Sequence, residues 1–173
     1  QSPRQGEGTY WGGDRGFTRY SPLDQITAEN VGRLRVAWRQ PGVDPAVKQA
    51  FPELRVSGNF RSTPLMIGGT LYAPNAIGLV RAMDPATGAT KWEQKPFANT
   101  IEEVSRPSPR GIEYWRQGND ERLILVRGEY LYAMDAKTGA YVTGLGEAGR
   151  VNLHWSHQLA GLYSWSAGPI IAN

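Results

Sequence analysis

The chain has no cysteine among its 173 residues. Disulfides, thiolate metal sites and a cysteine nucleophile are thereby excluded. Lysine is scarce too: Lys48, Lys91, Lys95 and Lys137 are the only lysines among 19 basic residues, and the rest are arginine. The net charge of +3 is spread along the chain and forms no basic stripe. The sequence therefore does not read as a nucleic-acid surface. The arginine bias reflects either host composition or a need for planar, bidentate donors near anions. No run of about eighteen apolar residues occurs, so no transmembrane helix is expected. The opening residues Gln1-Ser2-Pro3-Arg4-Gln5-Gly6 are polar and hold no apolar signal core. A secretory signal was either removed before them or never existed.

What the chain does have is a phrase written twice. Ala82-Met83-Asp84-Pro85-Ala86-Thr87-Gly88 recurs as Ala133-Met134-Asp135-Ala136-Lys137-Thr138-Gly139, 51 residues later. Each copy follows a strand-like run, Gly78-Leu79-Val80 or Tyr130-Leu131-Tyr132. Frequent glycine (21) and proline (12) fit many short strands joined by turns. Repeats of this period built on strands are how a β-propeller or related array reads. At roughly 40–50 residues per blade, the chain holds between three and four blades. Closed propellers take about four to eight, so an incomplete ring is expected.

Every residue of the repeat has a structural use. The small Ala82 lets sheets approach closely, and Asp84 can accept hydrogen bonds from turn amides and the Thr87 hydroxyl. Gly88 supplies a left-handed position that tightens the turn. Trp92, four residues on, offers a large face for packing between blades. In the second copy Tyr141-Val142-Thr143 falls where a tryptophan would, so packing there is expected to be weaker or completed by Trp155 or Trp165.

Residues 9–26 read as an irregular arm, followed by a short helix over Ala28–Leu34 with Thr27 as its N-cap. Leu34–Arg39 alternates apolar and polar residues and reads as a strand. Residues 40–58 form a long excursion punctuated by proline and glycine, and such loops are often functional. Ser62–Ile67, Thr70–Pro74, Gly78–Met83 and Lys91-Trp92-Glu93 are the expected strands of one blade, with Gly68-Gly69 as a hairpin turn. Gly111–Arg116, Arg122–Val126, Tyr130–Met134 and Ala140–Thr143 are those of a second. Gly168-Pro169-Ile170-Ile171 reads as the start of a third, and the stop at Asn173 reads as truncation in mid-blade.

Few residues outside the repeat suggest chemistry. His154 and His157 are spaced to supply two metal ligands on a helix. No third ligand is evident, and hydrogen-bonding loop histidines are the expectation. Glu102-Glu103 and Asp120-Glu121 read as solvated loop acids. Gly144–Gly149 is glycine-rich but lacks the strand and helix of a phosphate cradle.

Several segments together resemble the pyrroloquinoline quinone (PQQ)-dependent dehydrogenases. Trp11-Gly12-Gly13-Asp14, Arg19-Tyr20-Ser21-Pro22-Leu23-Asp24-Gln25-Ile26 and Asn30-Val31-x-x-Leu34 are similar to the opening of that family. Ser62-Thr63-Pro64-Leu65, the two repeat phrases, Arg110-Gly111-Ile112-x-Tyr114, Gly161-Leu162-Tyr163 and Gly168–Ile171 follow in the family's order. The segments around Arg110 and Gly161 look closer to the membrane-type glucose and quinate dehydrogenases than to methanol dehydrogenases.

The resemblance implies an all-β fold: about three blades of an eight-bladed quinoprotein propeller. Residues 1–173 would be the N-terminal part of one domain, with an arm and short helix over 1–33 and blades over 34–173. It implies PQQ near the axis beside calcium, an alcohol, sugar or polyol substrate, a quinone or cytochrome electron acceptor, and a periplasmic location. Arg110 matches the family's arginine that contacts PQQ, and a planar fork suits such an anion. Arg61 stands where the family often has glutamate. This reversal leaves two readings, pairing with a PQQ carboxylate or a solvated arginine. Val104 and Ser105 replace the adjacent cysteines of the alcohol-oxidising members. The family's calcium ligands and aspartate base would fall after Asn173, so this chain alone is expected to be incomplete as an enzyme. The alternative is a non-enzymatic quinoprotein-like propeller serving as a scaffold.

Overall fold

The computed structural model describes residues 7–56, 58, 60–154 and 167–171. Two four-stranded antiparallel sheets dominate, each a simple meander. The first runs β1 (Leu65–Ile67), β2 (Thr70–Pro74), β3 (Val80–Met83) and β4 (Thr90–Glu93); the second runs β5 (Glu113–Gln117), β6 (Asp120–Arg127), β7 (Tyr130–Asp135) and β8 (Arg150–Asn152). Meanders follow from the turns. Gly68 and Gly69 both adopt left-handed backbone (φ +54° and +73°), which matches the twist of a two-residue hairpin and closes Ile67 onto Thr70.

The sheets pack face to face through one core. Leu65, Tyr72, Val80 and Ala82 of the first meet Ile112, Leu123, Leu125, Tyr132, Met134 and Ala136 around the second. Fully burying each large apolar side chain contributes roughly 1.5–3 kcal/mol, so this interface is the main apolar store of the described fold. A second cluster, Val43, Leu54, Ile77, Leu79 and Val104, fastens the excursion and the linker to the first sheet.

The repeat works as its residue types require, and adds a lock between sheets. Asp84 Oδ1 accepts from the Ala86 and Thr87 amides (3.0 and 2.8 Å) and from the Thr87 hydroxyl (2.9 Å). Asp135 does the same for Lys137 and Thr138. Gly88 and Gly139 share a φ of +72°. The indole of Trp38 lies on Gly88 and that of Trp92 on Gly139, where any Cβ would collide with the ring. Each indole N–H also donates to a carbonyl of the turn it covers, Trp38 to Pro85 (2.9 Å) and Trp92 to Ala136 (3.2 Å). Trp92 therefore belongs to the first sheet and caps the second.

Four sequence expectations are corrected. The helix over 28–34 is one 3-10 turn, Val31–Arg33, because Asn30 Oδ1 takes the Thr27 amide and its own amide group binds Gln25 O. Leu34–Arg39 joins no sheet, since β1 to β4 already complete the first one; it serves to carry Trp38. The excursion folds into a short helix, α1 (Pro45–Ala50), capped by Asp44 and opened by proline at its first position. The fourth strand of the second sheet is Arg150–Asn152, not 140–143. Tyr141 makes a single bridge to Met134, and the chain then loops out through left-handed Gly146, Ala148 and Gly149 before returning to pair with Tyr130–Tyr132. Arg150 seals that return, its guanidinium 3.7 Å from the Phe97 ring centroid and 4.2 Å from that of Tyr130.

Tyr141 fills the space expected of the missing tryptophan. Its ring packs on Phe97 and Tyr132, and its hydroxyl donates to Lys95 O (2.8 Å). Trp155, Trp165, His157 and Gly161–Tyr163 lie outside the described residues, and residues 167–171 carry no strand.

Candidate functional site

The leading edges of the two sheets are tied together, and this brings two distant arginines to one place. The Ser62 hydroxyl donates to Pro109 O and meets the Ser108 hydroxyl at 2.7 Å. The Thr63 amide donates to Arg110 O at 2.9 Å. Arg61 and Arg110 flank these bonds and line the same cleft, of about 630 Å³. The two arginines expected to hold cofactor are thus neighbours in space.

The N-terminal arm makes the opposite wall. Gly8 bridges to Met66 of β1. Trp11 lies over Gly111 and Gly168, donates its indole N–H to Pro169 O (3.3 Å) and meets Phe17 edge-on at 4.9 Å. Gly12 leaves room for that Phe17 ring. The arm then returns along the cleft through Arg19, Tyr20 and Ser21. The lining thus combines Arg19, Arg61 and Arg110 with the hydroxyl-bearing Thr63 and Ser21 and the aromatic Tyr10, Trp11 and Tyr20, and among the described residues it includes no acid. Such donors, all cationic or neutral, fit a flat, multiply charged anion flanked by rings. Arg19 escaped the sequence reading because the irregular arm gave no register with which to aim it.

A second cleft of about 670 Å³ lies on the other face of the first sheet, against Trp38, Phe60, Leu71 and Met83. It is mostly apolar, and its buried cation Arg81 is already paired with Glu93 at 2.8 Å. The first cleft is therefore the better match to an anion.

Glu103 is corrected from solvated acid to buried hub. Its carboxylate takes Arg127 Nη1 at 2.6 Å and Arg106 Nε at 3.1 Å, and Arg127 also donates to Ile77 O (2.7 Å) and Glu103 O (2.6 Å). Glu103 lies within α2 (Ile101–Val104), and its amide is capped by the Thr100 hydroxyl. Val104 is buried in the second apolar cluster and Ser105 caps the helix C-terminus. Glu102 is exposed as expected. Asp120 pairs with Arg122, while Glu121 takes the Tyr114 hydroxyl and Lys137. Among the described residues no group of three or more His, Asp or Glu could hold a metal ion. Nor, among them, is any helix long and apolar enough to cross a membrane.

Two locked meander sheets with a polar cleft at their leading edges define a piece of a β-propeller. The chain belongs to the PQQ-dependent dehydrogenases: residues 9–173 match the family model described as the glucose/ethanol/alcohol dehydrogenase β-propeller domain. It is 29% identical to the glycerol dehydrogenase large subunit of Gluconobacter thailandicus, over 99% of this chain and 24% of that protein. It is 34% identical to the dehydrogenase subunit of the quinone alcohol dehydrogenase of Gluconobacter oxydans, over 72% of this chain and 15% of that protein. With the quinoprotein glucose dehydrogenase of Escherichia coli it shares 31% identity, over 90% and 21%. The fold is similar to that of the quinohemoprotein alcohol dehydrogenase of Comamonas testosteroni, with a TM-score of 0.66 at 22% identity, covering 92% of this chain and 21% of that one. The chain spans less than a quarter of the length of each of these relatives.

Proposed function

We propose that the chain is the N-terminal part of a single propeller domain of a periplasmic PQQ-dependent dehydrogenase. The substrate class is an alcohol, sugar or polyol, and electrons leave to a quinone or a cytochrome. The observation that carries this reading is the arginine-lined cleft at the junction of two propeller sheets, in a chain of the PQQ family.

PQQ, when bound, would supply the redox chemistry. This chain's residues bind and orient. Arg110 and Arg61 offer forked, charge-assisted donors to carboxylates. Thr63, through the hydrogen bond from its backbone N–H to Arg110 O, fixes the spacing of the two arginines. Trp11 and Tyr10 line the same cleft and would flank the ligand on that side. Arg61 thus extends the cationic lining where the family often carries glutamate. Calcium ligands and the base that takes the hydroxyl proton are assigned to the rest of the protein.

The test is PQQ binding to the apo form of the full-length protein. Arg110→Ala is expected to weaken binding roughly tenfold or more, with the thermal unfolding midpoint unchanged. Unaltered affinity would take Arg110 out of the site, and a wild-type protein that binds no PQQ would favour the non-enzymatic scaffold.

A further inference from the structure

The cleft holds a third arginine whose placement is as deliberate as that of the other two. The Arg19 amide donates to Gly12 O at 2.9 Å, and its Cα packs against left-handed Gly13. Arg19 itself sits at φ +56°, a backbone conformation uncommon for a side-chain-bearing residue and often found where a site requires it. Asp14 tightens the loop from behind, accepting from the Thr18 amide (3.1 Å) and hydroxyl (2.6 Å). Trp11 anchors the whole arm on Gly111, next to Arg110.

The electrostatics point the same way. Arg81, Arg106, Arg122, Arg127 and Arg150 each have a carboxylate partner. Among the described residues Arg19, Arg61 and Arg110 form no ion pair, as is also true of Arg33, Arg39 and other exposed arginines; what sets these three apart is that they line one cleft that includes no described acid. Like charges lining one cleft repel one another, and an anion that enters the cleft relieves that repulsion. PQQ is a planar tricycle with three carboxylates.

We propose that Arg19 is a third guanidinium arm for the cofactor, so that the cleft grips a planar tricarboxylate through Arg19, Arg61 and Arg110 together. This rests on the reading of the cleft as the PQQ site. It assigns the N-terminal arm a part in cofactor binding beyond packing.

The experiment titrates apo full-length protein with PQQ and with its trimethyl ester, which keeps the ring system and removes the negative charges. The wild type, Arg19→Gln, Arg19→Lys and Arg110→Ala are compared, and thermal unfolding of each apo form is recorded. Arg19→Gln is expected to weaken PQQ binding roughly tenfold or more, to leave ester binding within about twofold and to leave unfolding unchanged. Arg19→Lys keeps the charge but loses the fork, and is expected to fall between. If Arg110→Ala weakens binding while both Arg19 variants bind PQQ like the wild type, the inference fails and the PQQ reading stands. Equal losses for PQQ and ester would also overturn it, since Arg19 would then act by shaping the arm. A wild-type protein that binds no PQQ would overturn both.

Discussion

Glu113 turns its carboxylate into an interior where no described residue binds it. It is fully buried on β5, and among the described residues neither carboxylate oxygen has a hydrogen-bond partner. Burial pushes its pKa up to about 7, against a weaker opposing pull from the Tyr114 amide, which stands outside hydrogen-bond geometry. A carboxyl held protonated by the fold stabilises the native state while the unfolded chain also stays protonated, below the ordinary value of 4.5. As pH rises from there to about 7, the unfolded chain ionises first and stability falls; above that both states are ionised and the loss stops. Glu113→Gln removes this titration. Relative to the variant, the wild type is expected to lose about 3 kcal/mol between pH 4.5 and 8. Denaturant unfolding of both proteins across that range checks it, and parallel profiles would reject it. Asp84, Asp120 and Glu121, held below their ordinary values by hydrogen bonds, act in the opposite direction. The comparison between variants cancels them. Nothing in the sequence marked Glu113, because alternation places a residue on a face without saying whether a partner waits there.

At the level of elements, the legible parts were those with local causes. The strand Thr70–Pro74 and the Gly68-Gly69 turn lie where the sequence places them, since a glycine pair and a period of two are both short-range signals. The Asp-x-x-Thr-Gly turns formed as their side chains require. What escaped depends on partners far along the chain. Ala140–Thr143 alternates well enough for a strand, yet β7 takes its neighbour from Arg150–Asn152, whose arginine is held by the Phe97 and Tyr130 rings. Glu103 looked like a loop acid because Arg127 is 24 residues away. The locking contact can be dissected directly. Gly139→Ala must strain a φ of +72° and push Trp92 aside, with an expected cost of about 2 kcal/mol or more. Trp92→Phe keeps an aromatic ring and loses the bond to Ala136 O, at about 1 kcal/mol. Thermal unfolding ranks the two, and a Gly139→Ala protein as stable as the wild type would contradict the geometry.

Over the whole molecule, apolar side chains remain on the outside in an ordered way. Leu23, Ile26, Val31, Leu34 and Val36 are exposed in succession along residues 23–36, with Phe60 and Ile170 beyond. Exposed apolar area on this scale marks a surface that something covers. Produced by itself, the 173-residue chain is expected to bind a hydrophobic fluorescent dye more strongly, mole for mole, than the full-length protein; equal binding would show that these residues stay in water. The family could be read from short ordered phrases, whereas the convergence of Arg19, Arg61 and Arg110 on one cleft could not. That convergence depends on the Thr63–Arg110 bond and on the path of an arm without periodicity. The Trp38–Gly88 and Trp92–Gly139 contacts also bear on how the chain is made. Each indole is synthesised about fifty residues before the turn it must cover. A blade leaving the ribosome therefore stays unlatched until the next has emerged. The unit that closes during translation is offset by one sheet from the unit that repeats in the sequence.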